Sequence, residues 1–122
     1  PGEAARLLGI STAQLQEDRL AAVRALGEKF GGVVVLKGAG TLVQGEALAL
    51  CPYGNPGMGA GGMGDVLTGI IAAFIAQGLA LEAAAQAGVL VHALAGDRAG
   101  QQGERGLLPG DLIAALPALV NP

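Results

Sequence analysis

With 122 residues, a net charge of −3 and only 14% charged side chains, the chain is one domain or part of one, and disorder is excluded. Hydrophobic residues make up 52% and Trp is absent, so a core must be assembled from Ala, Val, Leu and Ile. No basic stripe is present, which excludes a broad nucleic-acid footprint but not a nucleotide held by local backbone dipoles. The single Cys51 cannot pair within the chain, pointing to a reducing, cytoplasmic setting, and reads as a small residue beside Pro52 rather than a reactive thiol. No signal peptide is legible.

In chain order, "GEAARLLG" predicts a short helix stopped by Gly9. "STAQLQEDRLAAVRALGEKFG" predicts one longer helix, with Ser11 as N-cap, Gln14 as its capping-box partner and Gly31-Gly32 as the stop. Its apolar face carries Leu15, Ala22, Val23 and Leu26. "VVVLKG" reads as a strand buried on both faces, as in a parallel sheet, and "TLVQGEALAL" as a small hairpin around Gln44-Gly45. Residues 66–81 carry no charge, but the run is shorter than the ~20 residues of a membrane span, so it predicts a buried helix. An Ala-rich helix over 82–99 places Val89, His92, Ala93 and Gly96 on one face, and "PGDLIAALPALV" predicts a short helix with Asp111 as N-cap. No linker or repeat divides the chain. A parallel strand needs parallel neighbours, so this order reads as the second half of an α/β domain.

The glycine loop "YGNPGMGAGGMGDVLTG" contains G-x-G-x-x-G twice, at Gly57/Gly59/Gly62 and Gly59/Gly61/Gly64. A dinucleotide-binding turn needs a strand directly before the glycines and an acidic residue ending the next strand. Here "CPYGNP" precedes them, and Glu82, near the right distance, opens a helix. What the loop offers instead is an anion hole: Gly61, Gly62, Met63 and Gly64 lead into a helix whose unpaired N–H groups suit a phosphate or developing oxyanion.

Asp65 has two readings, an N-cap or a base that takes a proton from a hydroxyl attacking a phosphoryl group. Lys37 ends the strand, where open α/β sheets bind ligands, or is a solvated lysine before a turn. His92 reads as a packed core residue. No Cys/His/Asp cluster has metal-ligand spacing, so any metal would arrive with a phosphate.

Taken together, "VVVLKGAGTLV", "NPGMGAGGMGDVLTGIIAAFIAQGL", "HALAGDRA" and "GERGLLPGDL" resemble the ribokinase-like superfamily, and more closely the ADP-dependent NAD(P)H-hydrate dehydratases. The resemblance covers the whole chain but only about the C-terminal half of the family's domain. It implies a three-layer α/β/α fold, with residues 1–122 as the C-terminal portion of one domain. It also implies a repair lyase that returns the S epimer of hydrated NADH or NADPH to NAD(P)H. ADP is the co-substrate, the ring hydroxyl is phosphorylated and phosphate is eliminated, leaving AMP and phosphate.

Carried over by position, Lys37, Gly38, Ala39, Gly40 and Thr41 match the nucleotide-binding segment. Gly64 matches a glycine at the adenine nucleotide, and Asp65 the catalytic residue at the hydrated nicotinamide. Mg²⁺ and a homo-oligomer, with a tetramer as one such assembly, belong to the same expectation. Gly59 stands where the family commonly has Ala. The family's substrate-contacting His would lie just before Pro1, so these residues alone are expected to be inactive. Two alternatives remain: a ribokinase-like kinase of a vitamin precursor or sugar, and a non-catalytic nucleotide-binding or assembly module.

Overall fold

The computed structural model describes residues 1–121, which divide into two units, Pro1–Leu50 and a second beginning at Cys51.

In the first unit, α1 (Gly2–Leu8) ends at Gly9 in the left-handed conformation (φ 71°). The expected long helix is instead two, α2 (Thr12–Glu17) and α3 (Arg19–Phe30). Ser11 and Gln14 form the predicted capping box on α2. The break falls at Asp18, whose backbone leaves helical space (φ −143°, ψ 83°) while its carboxylate accepts from Ala21 N–H at 2.8 Å. An Asp that can satisfy an orphan N–H competes with helix continuation. Gly31 then terminates α3.

The strands β1 (Val34–Leu36), β2 (Thr41–Gln44) and β3 (Leu48–Cys51) form a sheet in that order. The β2–β3 connection at 45–47 is the expected hairpin, with Gly45 N–H donating to Ala47 O at 3.1 Å. The expectation of a doubly buried parallel strand is corrected here. β1 pairs antiparallel with β2, Val35 facing Val43, and only Leu36 of β1 is buried. As the outer strand of this sheet, β1 has a neighbour along one edge among the described residues. Its β-branched run gave the right element, and on the edge that β2 fills the pairing is antiparallel. The core gathers Ala4, Ala5, Leu15, Ala22, Val23, Leu26, Leu36 and Leu42: α3 packs on β1 and β2, and α1 and α2 pack on α3.

The second unit is helical: α4 (Met63–Ala76), α5 (Leu81–Gly100), α6 (Pro109–Ala115) and α7 (Pro117–Val120). Helix α5 carries eight buried residues, among them Val89, His92, Ala93 and Gly96 as expected, and packs on α4 and α6. Helix α4 is not buried all round. Met63 and Leu67 are buried, Val66, Ile70, Ile71 and Phe74 are half-buried, and Ile75 is 40% exposed. An absence of charge predicted burial, but α5 and α6 cover one face only.

Asp111 is likewise not the N-cap of α6. That position is Leu108, because Pro109, which has no N–H to satisfy, opens the helix. Asp111 sits in the first turn and its Oδ2 accepts from Leu108 N–H at 2.9 Å. No helix among the described residues is long and apolar enough to cross a membrane.

Candidate functional site

The glycine loop opens with a short 3-10 turn, Pro56–Gly59, capped by Asn55, whose Oδ1 accepts from Gly57 N–H at 3.0 Å. The Asn55 amide also reaches α5, donating to Gly96 O at 2.9 Å and to Asp97 Oδ1 at 3.1 Å. The other Asp97 oxygen accepts from Gly54 N–H at 3.0 Å. One carboxylate and one carboxamide thus fix the entry to the loop. Glycine is needed where the loop meets its surroundings: a Cβ on Gly57 would overlap the Glu104 carbonyl oxygen.

The far end of the loop becomes α4. Its N-cap is Gly62 (φ 89°, ψ −15°), where a Cβ would also stand 3.1 Å from Pro109 Cγ. The N-cap reading of Asp65 is therefore set aside. Asp65 lies in the first turn, exposed, and its carboxylate accepts no hydrogen bond among the described residues. Helical bonding starts with Val66 N–H to Gly62 O at 3.1 Å. Met63 N–H leans back to Ala60 O at 3.4 Å, and its side chain is buried against Ala95, Leu107 and Leu112. The N–H groups of Gly61, Gly62, Gly64 and Asp65 donate to no protein group among the described residues. With the helix dipole behind them, these donors attract negative charge.

His92 is buried at 5% exposure, with Nε2 2.9 Å from Met63 O. A carbonyl only accepts, so Nε2 carries the proton and donates. The residue is the core histidine that its helical face predicts, and it steadies the first turn of α4. Cys51, which the sequence places in a loop beside Pro52, is instead a buried free cysteine at the end of β3.

Lys37, Gly38, Ala39, Gly40 and Thr41 belong to the first unit, at the turn between β1 and β2. Lys37 is half-buried and Thr41 Oγ1 donates to Gly38 O at 3.2 Å. Gly38 (φ 149°) and Gly40 (φ 67°) hold backbone conformations that favour glycine. Arg19 at the start of α3 donates to Ala39 O at 2.5 Å, and more weakly to Leu36 O at 3.3 Å and Lys37 O at 3.4 Å.

Arg19, Asn55 and Asp97 went unnoticed in the sequence. Their partners lie 20 and 42 residues away, beyond any local pattern. An open cavity of about 340 Å³ lies at the end of α5, lined by Arg98, Arg105 and Asp111 among others, and none of the expected site residues lines it.

The sequence profile described as NAD(P)H-hydrate dehydratase matches residues 1–118. A bifunctional NAD(P)H-hydrate repair enzyme of Coxiella burnetii is 58% identical, over all of this chain and 26% of its own length. An ADP-dependent (S)-NAD(P)H-hydrate dehydratase of Neisseria meningitidis is 45% identical, over 99% of this chain and 42% of its own. Among solved structures, the ADP/ATP-dependent NAD(P)H-hydrate dehydratase of Bacillus subtilis, crystallised with ATP and Mg²⁺, superposes with a TM-score of 0.91 at 28% identity. That match covers 98% of this chain and 44% of that one. The chain thus spans between a quarter and a half of these proteins, and its fold is ribokinase-like. From its first residues to the last turns of the second unit, it belongs to the NAD(P)H-hydrate dehydratase family.

Proposed function

We propose that the full-length protein returns the S form of hydrated NADH or NADPH to NAD(P)H at the expense of ADP, releasing AMP and phosphate. The observation that carries this reading is the start of α4. Four N–H groups without an acceptor among the described residues, at Gly61, Gly62, Gly64 and Asp65, stand in the same turn as an exposed carboxylate. The N–H groups suit the phosphoryl group in transfer and the carboxylate suits the proton of its acceptor. Lys37, Gly38, Ala39, Gly40, Thr41 and Gly64 hold the adenine nucleotide.

In this mechanism Asp65 takes the proton of the ring hydroxyl as that oxygen attacks the terminal phosphorus of ADP. The bond from this phosphorus to the bridging oxygen breaks, and AMP leaves. The phosphate then departs from the ring carbon with its bonding pair. The neighbouring carbon loses a proton, and the double bond returns. Catalysis rests on position and electrostatics, as is general for phosphoryl transfer.

Among the described residues no group of three or more His, Cys, Asp or Glu side chains is arranged to hold a metal ion. Mg²⁺ would therefore arrive on the phosphates of the nucleotide and neutralise their charge there. A cytoplasmic setting, supported by the free Cys51, and a homo-oligomer, supported by the exposed apolar face of α4, belong to the same proposal.

The test incubates purified full-length protein with hydrated NADH and ADP, following the return of NADH absorbance and the release of AMP. Equal yields of both are expected. Phosphorylation of a small alcohol by ATP, with hydrated NADH untouched, would sink the proposal.

A further inference from the structure

We propose that Arg19 is a positioning residue for the nucleotide: its guanidinium turns the carbonyls of Leu36, Lys37 and Ala39 inward and so presents the N–H groups of Gly38 and Gly40 to the ligand. This rests on reading residues 37–41 as the nucleotide segment.

Arg19 donates to the carbonyls of Leu36, Lys37 and Ala39, while the Thr41 hydroxyl holds that of Gly38. Four consecutive carbonyls thus have internal donors. No peptide bond among the described residues is cis, so each N–H there points opposite to the carbonyl of its own peptide unit. With Lys37 O and Ala39 O drawn to the guanidinium, Gly38 N–H and Gly40 N–H face away from it. Neither donates to any group among the described residues.

Two further facts fit. A Cβ on Gly38 would stand 2.9 Å from Arg19 Nη2, so the guanidinium seats against a residue without a side chain. Arg19 also makes no ion pair among the described residues, and its buried Nε has no hydrogen-bond partner. A half-buried cation without a carboxylate behind a row of outward N–H groups favours an acceptor-rich anion in front.

The experiment compares Arg19→Ala and Arg19→Met with wild type in the full-length protein, Met keeping the apolar stem and losing every donor. ADP affinity is read by calorimetry, turnover as kcat and KM, and amide exchange over residues 37–41. Both variants should weaken ADP binding by about tenfold or more, raise KM for ADP and leave kcat at saturating ADP little changed, as loss of uniform binding does. With ADP bound, Gly38 and Gly40 should be less protected from exchange in both variants than in wild type, and added guanidinium ion should restore part of the ADP affinity of R19A. Wild-type ADP affinity in both variants, or a fall in kcat with KM unmoved, would overturn the positioning role. Failure of the wild type itself to bind ADP would overturn the nucleotide reading on which it rests.

Discussion

Asn55 Nδ2 lies 3.1 Å from Asp97 Oδ1, and this pair joins the entry of the glycine loop to helix α5. Because the second Asp97 oxygen holds Gly54 N–H, and Asn55 Oδ1 holds Gly57 N–H, the backbone from 54 to 57 follows wherever α5 places the carboxylate. Asp97→Ala leaves two donors without this acceptor, for a cost of about 1–3 kcal/mol in unfolding free energy. Turnover should fall as well, because the loop loses its register. Denaturant titration and kcat/KM on the full-length protein check both. Asp97→Asn, which keeps one acceptor oxygen, should lose less of each.

Asp65→Asn separates chemistry from binding. The carboxylate is exposed and holds no hydrogen bond among the described residues, so stability should change by no more than about 0.5 kcal/mol. If Asp65 is the base, kcat should drop by about 10²- to 10⁴-fold while ADP affinity persists. Unchanged turnover would remove it from the mechanism.

Gly88 is where α5 meets α4, and a Cβ there would stand 2.5 Å from Ile71 Cγ1 and 3.4 Å from its Cα. Ala in place of Gly favours a helix interior by about 1 kcal/mol, whereas overpacking a β-branched neighbour costs about 1–3 kcal/mol. The second effect wins, and Gly88→Ala should lower the thermal midpoint. Combining it with Ile71→Ala should cost less than the sum of the two single changes, since they share one contact.

Asp18→Ala removes the N-cap of α3 at the point where two helices replace the expected one. The loss should be about 0.5–2 kcal/mol by chemical denaturation. Arg19 is the next residue, so the same variant should also weaken ADP binding by the full-length protein.

Much of the fold was legible where the physics is local. The capping box of Ser11 and Gln14, the Gly9 and Gly31 stops, the hairpin at 45–47 and the face of α5 that carries His92 all depend on residues a few positions apart. Expectations failed where a local signal had two outcomes. Asp18 could ride along in a helix or cap a new one, and Asp65 and Asp111 could be N-caps or first-turn residues. Gly62 and Pro109 decided the last two, one by its left-handed backbone and its crowding against Pro109, the other by having no N–H.

By itself the sequence determined where helix and strand occur, the glycine loop and the family, because periodicity and motif spacing are written in neighbouring residues. Only the tertiary structure decided that β1 runs antiparallel to β2, that α4 is covered on one face, and that Arg19 and Asp97 hold the two loops. Those outcomes depend on donors and acceptors that are far apart in the chain and meet only once the helices have packed.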